Sequence, residues 1–158
     1  MNATVFLLFL VGGLFVASYF MKRRFGILGL GLAAGALLSS YWVDSLTPFI
    51  VGQGFDVTQS QVDIVVTLLP AMALLFGGPT YSKTHMRVIG SALFSLLALA
   101  LVLRPLGSLI QFDEAGMSIY SLVDNYQGMI IVIGLLLAIA DVFVSRPSKG
   151  LRPRKADH

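Results

Sequence analysis

The positive charges of this chain fall between its apolar runs, and almost only in alternate intervals. Five apolar runs, at about 4–21, 25–42, 61–76, 88–103 and 127–144, contain no lysine or arginine. Each is close to the length needed to cross a hydrocarbon core of about 30 Å at about 1.5 Å per helical residue. Lys22, Arg23 and Arg24 follow the first run, and Lys83 and Arg87 follow the third. Arg146, Lys149, Arg152, Arg154 and Lys155 follow the fifth, so ten of eleven positives occupy alternate intervals and only Arg104 does not. Short loops rich in lysine and arginine stay on the cytoplasmic side. The alternation therefore predicts an all-α polytopic transmembrane bundle of five spans, with its N-terminus outside and its C-terminus cytoplasmic. The helical domain is expected over 1–145, and 146–158 as a basic cytoplasmic tail. A re-entrant third segment, which Pro70 would permit, puts Lys83 and Arg87 on the wrong side and is disfavoured by the same count.

Only 12% of the residues are charged, against about 25% in an average soluble domain. That is too little to cover a water-facing surface. The absence of cysteine rules out thiolate chemistry and disulfides. The net charge of +3 is explained by topology, so no nucleic-acid surface is read. The first twenty residues lack the positive leading segment of a signal peptide, and they read as an uncleaved first span. Asn2-Ala3-Thr4 matches a glycosylation triplet, a pattern common by chance.

Small residues recur four apart, and so share a helix face. Gly31, Gly35 and Ser39 do this in the second run, Ser91 and Ser95 in the fourth, and Gly134 and Ala138 in the fifth. Such faces let two helix backbones approach closely in a membrane; the partner of each face is not readable. Tyr41 and Trp42 suit an interfacial anchor. Pro48, Gly52 and Gly54 are expected to break any long helix over 43–60. Pro105 is expected to end the fourth span, leaving a short surface helix or a packed loop before Val123.

Three acids lie close to apolar runs. Asp63 and Asp124 are expected to cap helix starts, where the dipole favours an anion. Asp141 falls in the last turn of the fifth span, where the dipole disfavours one. It should therefore pair with Arg146 or with Lys22–Arg24. A proton or ion relay through Asp63 or Asp141 is the competing reading. His85 stands alone in a basic linker, so no metal set is read. No nucleophile elbow, catalytic triad or phosphate loop occurs, and no cofactor is expected.

The junction Met21-Lys22-Arg23-Arg24-Phe25-Gly26 leads from a basic turn into a span rich in small residues. Arg87-Val88-Ile89-Gly90-Ser91-Ala92-Leu93 opens the fourth span in a similar way. Over residues 1–104 these features resemble the CvpA family, the colicin V production proteins of bacterial inner membranes. The chain departs from that pattern in its fifth span and in lacking a second arginine after the small residues of span four. The resemblance implies an inner-membrane location and a non-enzymatic role in export or envelope function. The expectation is accordingly a membrane subunit or scaffold whose partners are the bilayer and either itself or other membrane subunits. A small oligomeric transporter or channel is the alternative.

Overall fold

A computed structural model describes residues 3–77, 80–81 and 84–144. The described residues form five α-helices and no strand: α1 (Ala3–Met21), α2 (Phe25–Gly52), α3 (Gln59–Phe76), α4 (Thr84–Gly107) and α5 (Glu114–Val144). All five are long and apolar enough to cross a membrane. The side-chain distribution is that of a lipid-embedded bundle. Phe9, Leu37, Leu69, Phe76 and Leu136 point outward, while Ser18, Thr67, Ser91, Ser95 and Gln127 are buried. A water-soluble bundle places these two classes the other way round.

The central helix is α4, which packs against all four others. Leu97, Ala98, Ala100, Val102 and Leu103 on it are all but fully buried. Its backbone also takes part in the core, since Gln127 of α5 donates from Nε2 to the Ala100 carbonyl at 2.7 Å. A buried amide has to find such a partner in an apolar interior.

The helices are longer than the apolar runs that announced them. Pro48 does not break α2, which continues to Gly52. Proline there removes only one hydrogen bond, to the Asp44 carbonyl, and this segment lies beyond the exposed aromatics Tyr41 and Trp42, where water replaces it. Likewise α4 runs through Arg104 and Pro105 to Gly107, and it begins early enough to include His85 and Arg87. No separate surface helix fills the stretch up to Val123, and the loop in it is confined to residues 108–113, with Ile110 and Phe112 packed against the core. Instead α5 starts at Glu114, and its first turns pack Ile119, Tyr120 and Val123 against Leu103 and Leu106 of α4 and Leu7 of α1. Asp113 starts this extension: its carboxylate accepts from Gly116 N–H at 3.1 Å and from the Thr4 hydroxyl at 2.7 Å. The Thr4 bond is the main reason its carboxyl sits below the usual aspartate range. Helix α3 is continuous through Pro70 and is opened by a capping box, Thr58 with Gln61.

The Gly31-Gly35-Ser39 face has its partner within the chain. A Cβ on Gly31 would meet Leu74 Cδ1 at 2.7 Å and the Ala71 backbone at 3.2 Å, and one on Gly35 would collide with the Thr67 carbonyl oxygen. Both contacts are with α3. The Gly134–Ala138 pair divides between two neighbours: Ala138 lies against Gly29 of α2, and Gly134 against Leu97 of α4. Ser91 reaches α1 by donating to Ser18 Oγ at 3.3 Å, while Ser95 bonds back to its own helix at Ser91 O.

Gly35→Ala should therefore be destabilising, by about 1–3 kcal/mol as for other overpacked positions. Gly12→Ala, in a helix position with nothing within 4 Å, should be neutral or stabilising by about 0.5–1 kcal/mol. Thermal melts of the two variants in nanodiscs check this; equal melting temperatures would contradict the close α2–α3 approach.

Candidate functional site

The two ends of the bundle differ in chemistry. At the end carrying Lys22–Arg24, basic residues close helix termini. The final carbonyls of an α-helix lack intrahelical partners. Arg23 takes two of them at the end of α3, donating from Nε to Leu75 O and from Nη2 to Phe76 O, both at 2.8 Å. Arg87, in the first turn of α4, donates to Tyr19 O of α1 at 2.9 Å and lies 4.6 Å over the Tyr19 ring. Lys22 turns the chain between α1 and α2 with φ 57°, a left-handed conformation that non-glycine residues seldom adopt. Its carbonyl is held by Tyr81 N–H at 2.8 Å.

Asp141, whose expected partner Arg146 lies outside the described residues, meets the start of another helix. Its Oδ2 accepts from Gly26 N–H at 2.9 Å, at the first turn of α2. A carboxylate disfavoured at the end of its own helix is thus favoured at the start of another. The adjoining orphan N–H, that of Phe25, donates to the Tyr81 hydroxyl at 3.1 Å, and that hydroxyl is hydrogen-bonded to Asp141. Burial, reinforced by Asp141, pushes the Tyr81 phenol up to about 12. A Cβ on Gly90 would meet the Tyr81 ring at 2.8 Å, so this tyrosine joins the start of α2 to α4 and α5. Lys83 and Arg146 lie outside the described residues.

The opposite end holds a polar cavity of about 510 Å³ between α2, α3 and α4. Asp63 is one of its lining residues. It caps nothing, because Thr58 already caps α3. Instead its Oδ1 accepts from the hydroxyls of Ser39 and Thr67. Both of those residues are buried, Ser39 at 6% and Thr67 at 2% exposure. Two buried hydroxyls on one oxygen fix the carboxylate of this cavity-lining residue. Asp44 lines the same space, held by Gln59 Nε2 at 2.6 Å. Arg104 stands on the rim and pairs with Asp124 at 3.6 Å. Asp124 is thus a pairing residue and not a helix cap. That pair is largely exposed and adds little to stability.

Asp63 precedes Phe76 by thirteen residues, which sets it about 20 Å from the basic end of α3. Between the two levels lies the packed apolar cluster of Leu28, Leu32, Ala71, Leu75, Phe94 and Leu97. The cavity is therefore open at one end of the bundle and floored toward the other. Among the described residues no group of three His, Cys, Asp or Glu could hold a metal ion.

Three groups central to this arrangement carry little sequence signal. Thr67 looks like an ordinary span residue, and Tyr81 like part of a turn. Gly26 and Gly29, which admit α5, are three apart and fall outside the spacing of four. No family model, curated protein or solved structure matches the chain.

Asp141→Ala should cost about 1–3 kcal/mol by leaving the first turn of α2 without its acceptor, whereas Asp141→Asn, which keeps a carbonyl oxygen, should cost less. Denaturant titration in detergent distinguishes them; equal losses would mean that the charge, and not the cap, matters.

Proposed function

We propose that the chain is a non-enzymatic integral membrane subunit that admits a small polar or ionic solute at the Asp63 cavity, a transporter or channel component. The observation that carries this reading is the Asp63 carboxylate, which lines the cavity and has one oxygen fixed by the buried hydroxyls of Ser39 and Thr67. An ionisable group within a membrane-spanning helix is costly, and it often marks a solute or ion path. The packed apolar cluster between the cavity and the basic end supports access from the cavity's own end. By the charge alternation that side is the outside, with the C-terminus cytoplasmic, and we propose a bacterial inner-membrane location.

A CvpA-like scaffold serving an envelope or export process is the second reading. The basic junctions at residues 21–26 and 87–93 favour it. So does α1, where Gly12 and Gly13 have nothing within 4 Å and leave a place for another helix of the same or a different subunit. The small-residue faces of α2 and α5 do not add to it, because they are occupied within the chain.

Uptake into liposomes reconstituted with the protein tests the leading reading. Labelled n-butylammonium, butyrate and glycerol represent cationic, anionic and neutral solutes. At least one should enter faster than into empty liposomes, and Asp63→Asn should lower that rate at least tenfold. Background uptake of all three by folded protein, or an unchanged rate in the variant, would overturn it.

A further inference from the structure

The cavity's lining restricts what it can hold. We infer that its ligand is a small aliphatic primary ammonium ion; this rests on the solute-binding reading above. Two carboxylates, Asp44 and Asp63, face the space, and the one guanidinium on its rim, Arg104, is engaged by Asp124. The uncompensated charge is negative, so a cation is favoured over an anion. The volume of about 510 Å³ falls within the range of small-molecule sites, about 300–1,000 Å³. It far exceeds a bare ion.

Calcium takes six to eight oxygen ligands at about 2.3–2.6 Å. Among the described residues two carboxylates line this cavity, and Gln59 already holds one oxygen of Asp44, so no calcium shell is built here. Quaternary ammonium groups are recognised by aromatic faces, and among the described residues no aromatic one lines the cavity. What the lining offers instead is acceptors: the carboxylates of Asp63 and Asp44, and the hydroxyl oxygens of Ser60 and Ser108, which meet at 2.6 Å. A primary ammonium has three N–H donors to give to such a set. A short alkyl chain would then lie on Ala36, Val43 and Leu101, the apolar part of the lining.

Isothermal titration calorimetry on the full chain in nanodiscs tests this with n-butylammonium. Saturable binding is expected, with tetramethylammonium, sodium and butyrate each at least tenfold weaker. Asp63→Asn should weaken n-butylammonium at least tenfold, and Asp56→Asn, an exposed loop change outside the cavity, should leave it unaltered. If Asp63→Asn fails to fold, Ser39→Ala serves in its place and should weaken binding several-fold by releasing Asp63. Equal or tighter binding of tetramethylammonium, sodium or butyrate, or no effect of either cavity variant, overturns the ammonium assignment. Tight binding of butyrate that depends on Asp63 would leave the solute-binding reading standing and remove only the ligand class. No saturable binding of any probe, with no uptake, would remove both.

Discussion

The close passage of α2 over α3 is the contact on which the rest depends. Gly35 lies against the Thr67 carbonyl, with no room for a side chain between the two backbones. Because Ser39 follows Gly35 by one turn, the same approach carries its hydroxyl onto Asp63 of α3. Thr67, one turn after Asp63, completes the anchor from below. A glycine that at first suggests only helix packing thus also fixes the orientation of the cavity's carboxylate. In lipid the gain from such an approach is dispersion and hydrogen bonding, not the release of water. That makes the fit of Gly31 and Gly35 to Ala71 and Thr67 an energetic term in its own right.

The second constraint is the closure of helix ends in a medium that offers no hydrogen bonds. At the basic end Arg23, Arg87, Tyr81 and Asp141 each satisfy backbone groups of a helix other than their own. These bonds tie α1 to α4, the α1–α2 turn to α3, and α2 to α5. That end is a cross-linked cap, and the cavity lies toward the other end, between α2, α3 and α4. The contrast between a fixed end and an open end gives the molecule a direction that its apolar exterior alone does not show.

Much of the architecture was legible in the charge pattern and the apolar runs. Five helices follow from runs that exclude lysine and arginine, and the small-residue spacing of Gly31, Gly35 and Ser39 marked a real packing face. Helix ends were less legible. Pro48 and Pro105 read as stops, yet each removes a single hydrogen bond near a helix end where the loss is small. Residues 114–126 look too polar for a span. They are helical because Ile119, Tyr120 and Val123 find an apolar surface on α4, and a tertiary contact of that kind leaves no local pattern. The roles of the acids were hidden for the same reason. Asp63 and Asp141 were visible as unusual, but their partners lie 24 and 115 residues away, and no spacing rule connects them.

Cysteine accessibility tests the central claim most directly, that Asp63 borders a water-filled space open away from the basic end. The chain has no cysteine, so a single introduced one reports alone. Ser40 lines the cavity, while Leu38, about 3 Å from it along the helix axis, faces outward beside Tyr41 and Trp42. In sealed vesicles of known orientation, Ser40→Cys should react with a membrane-impermeant thiol reagent applied to the face opposite Lys22–Arg24, and Leu38→Cys should not. Equal labelling of the two, or labelling of Ser40→Cys only from the basic face, would contradict the account.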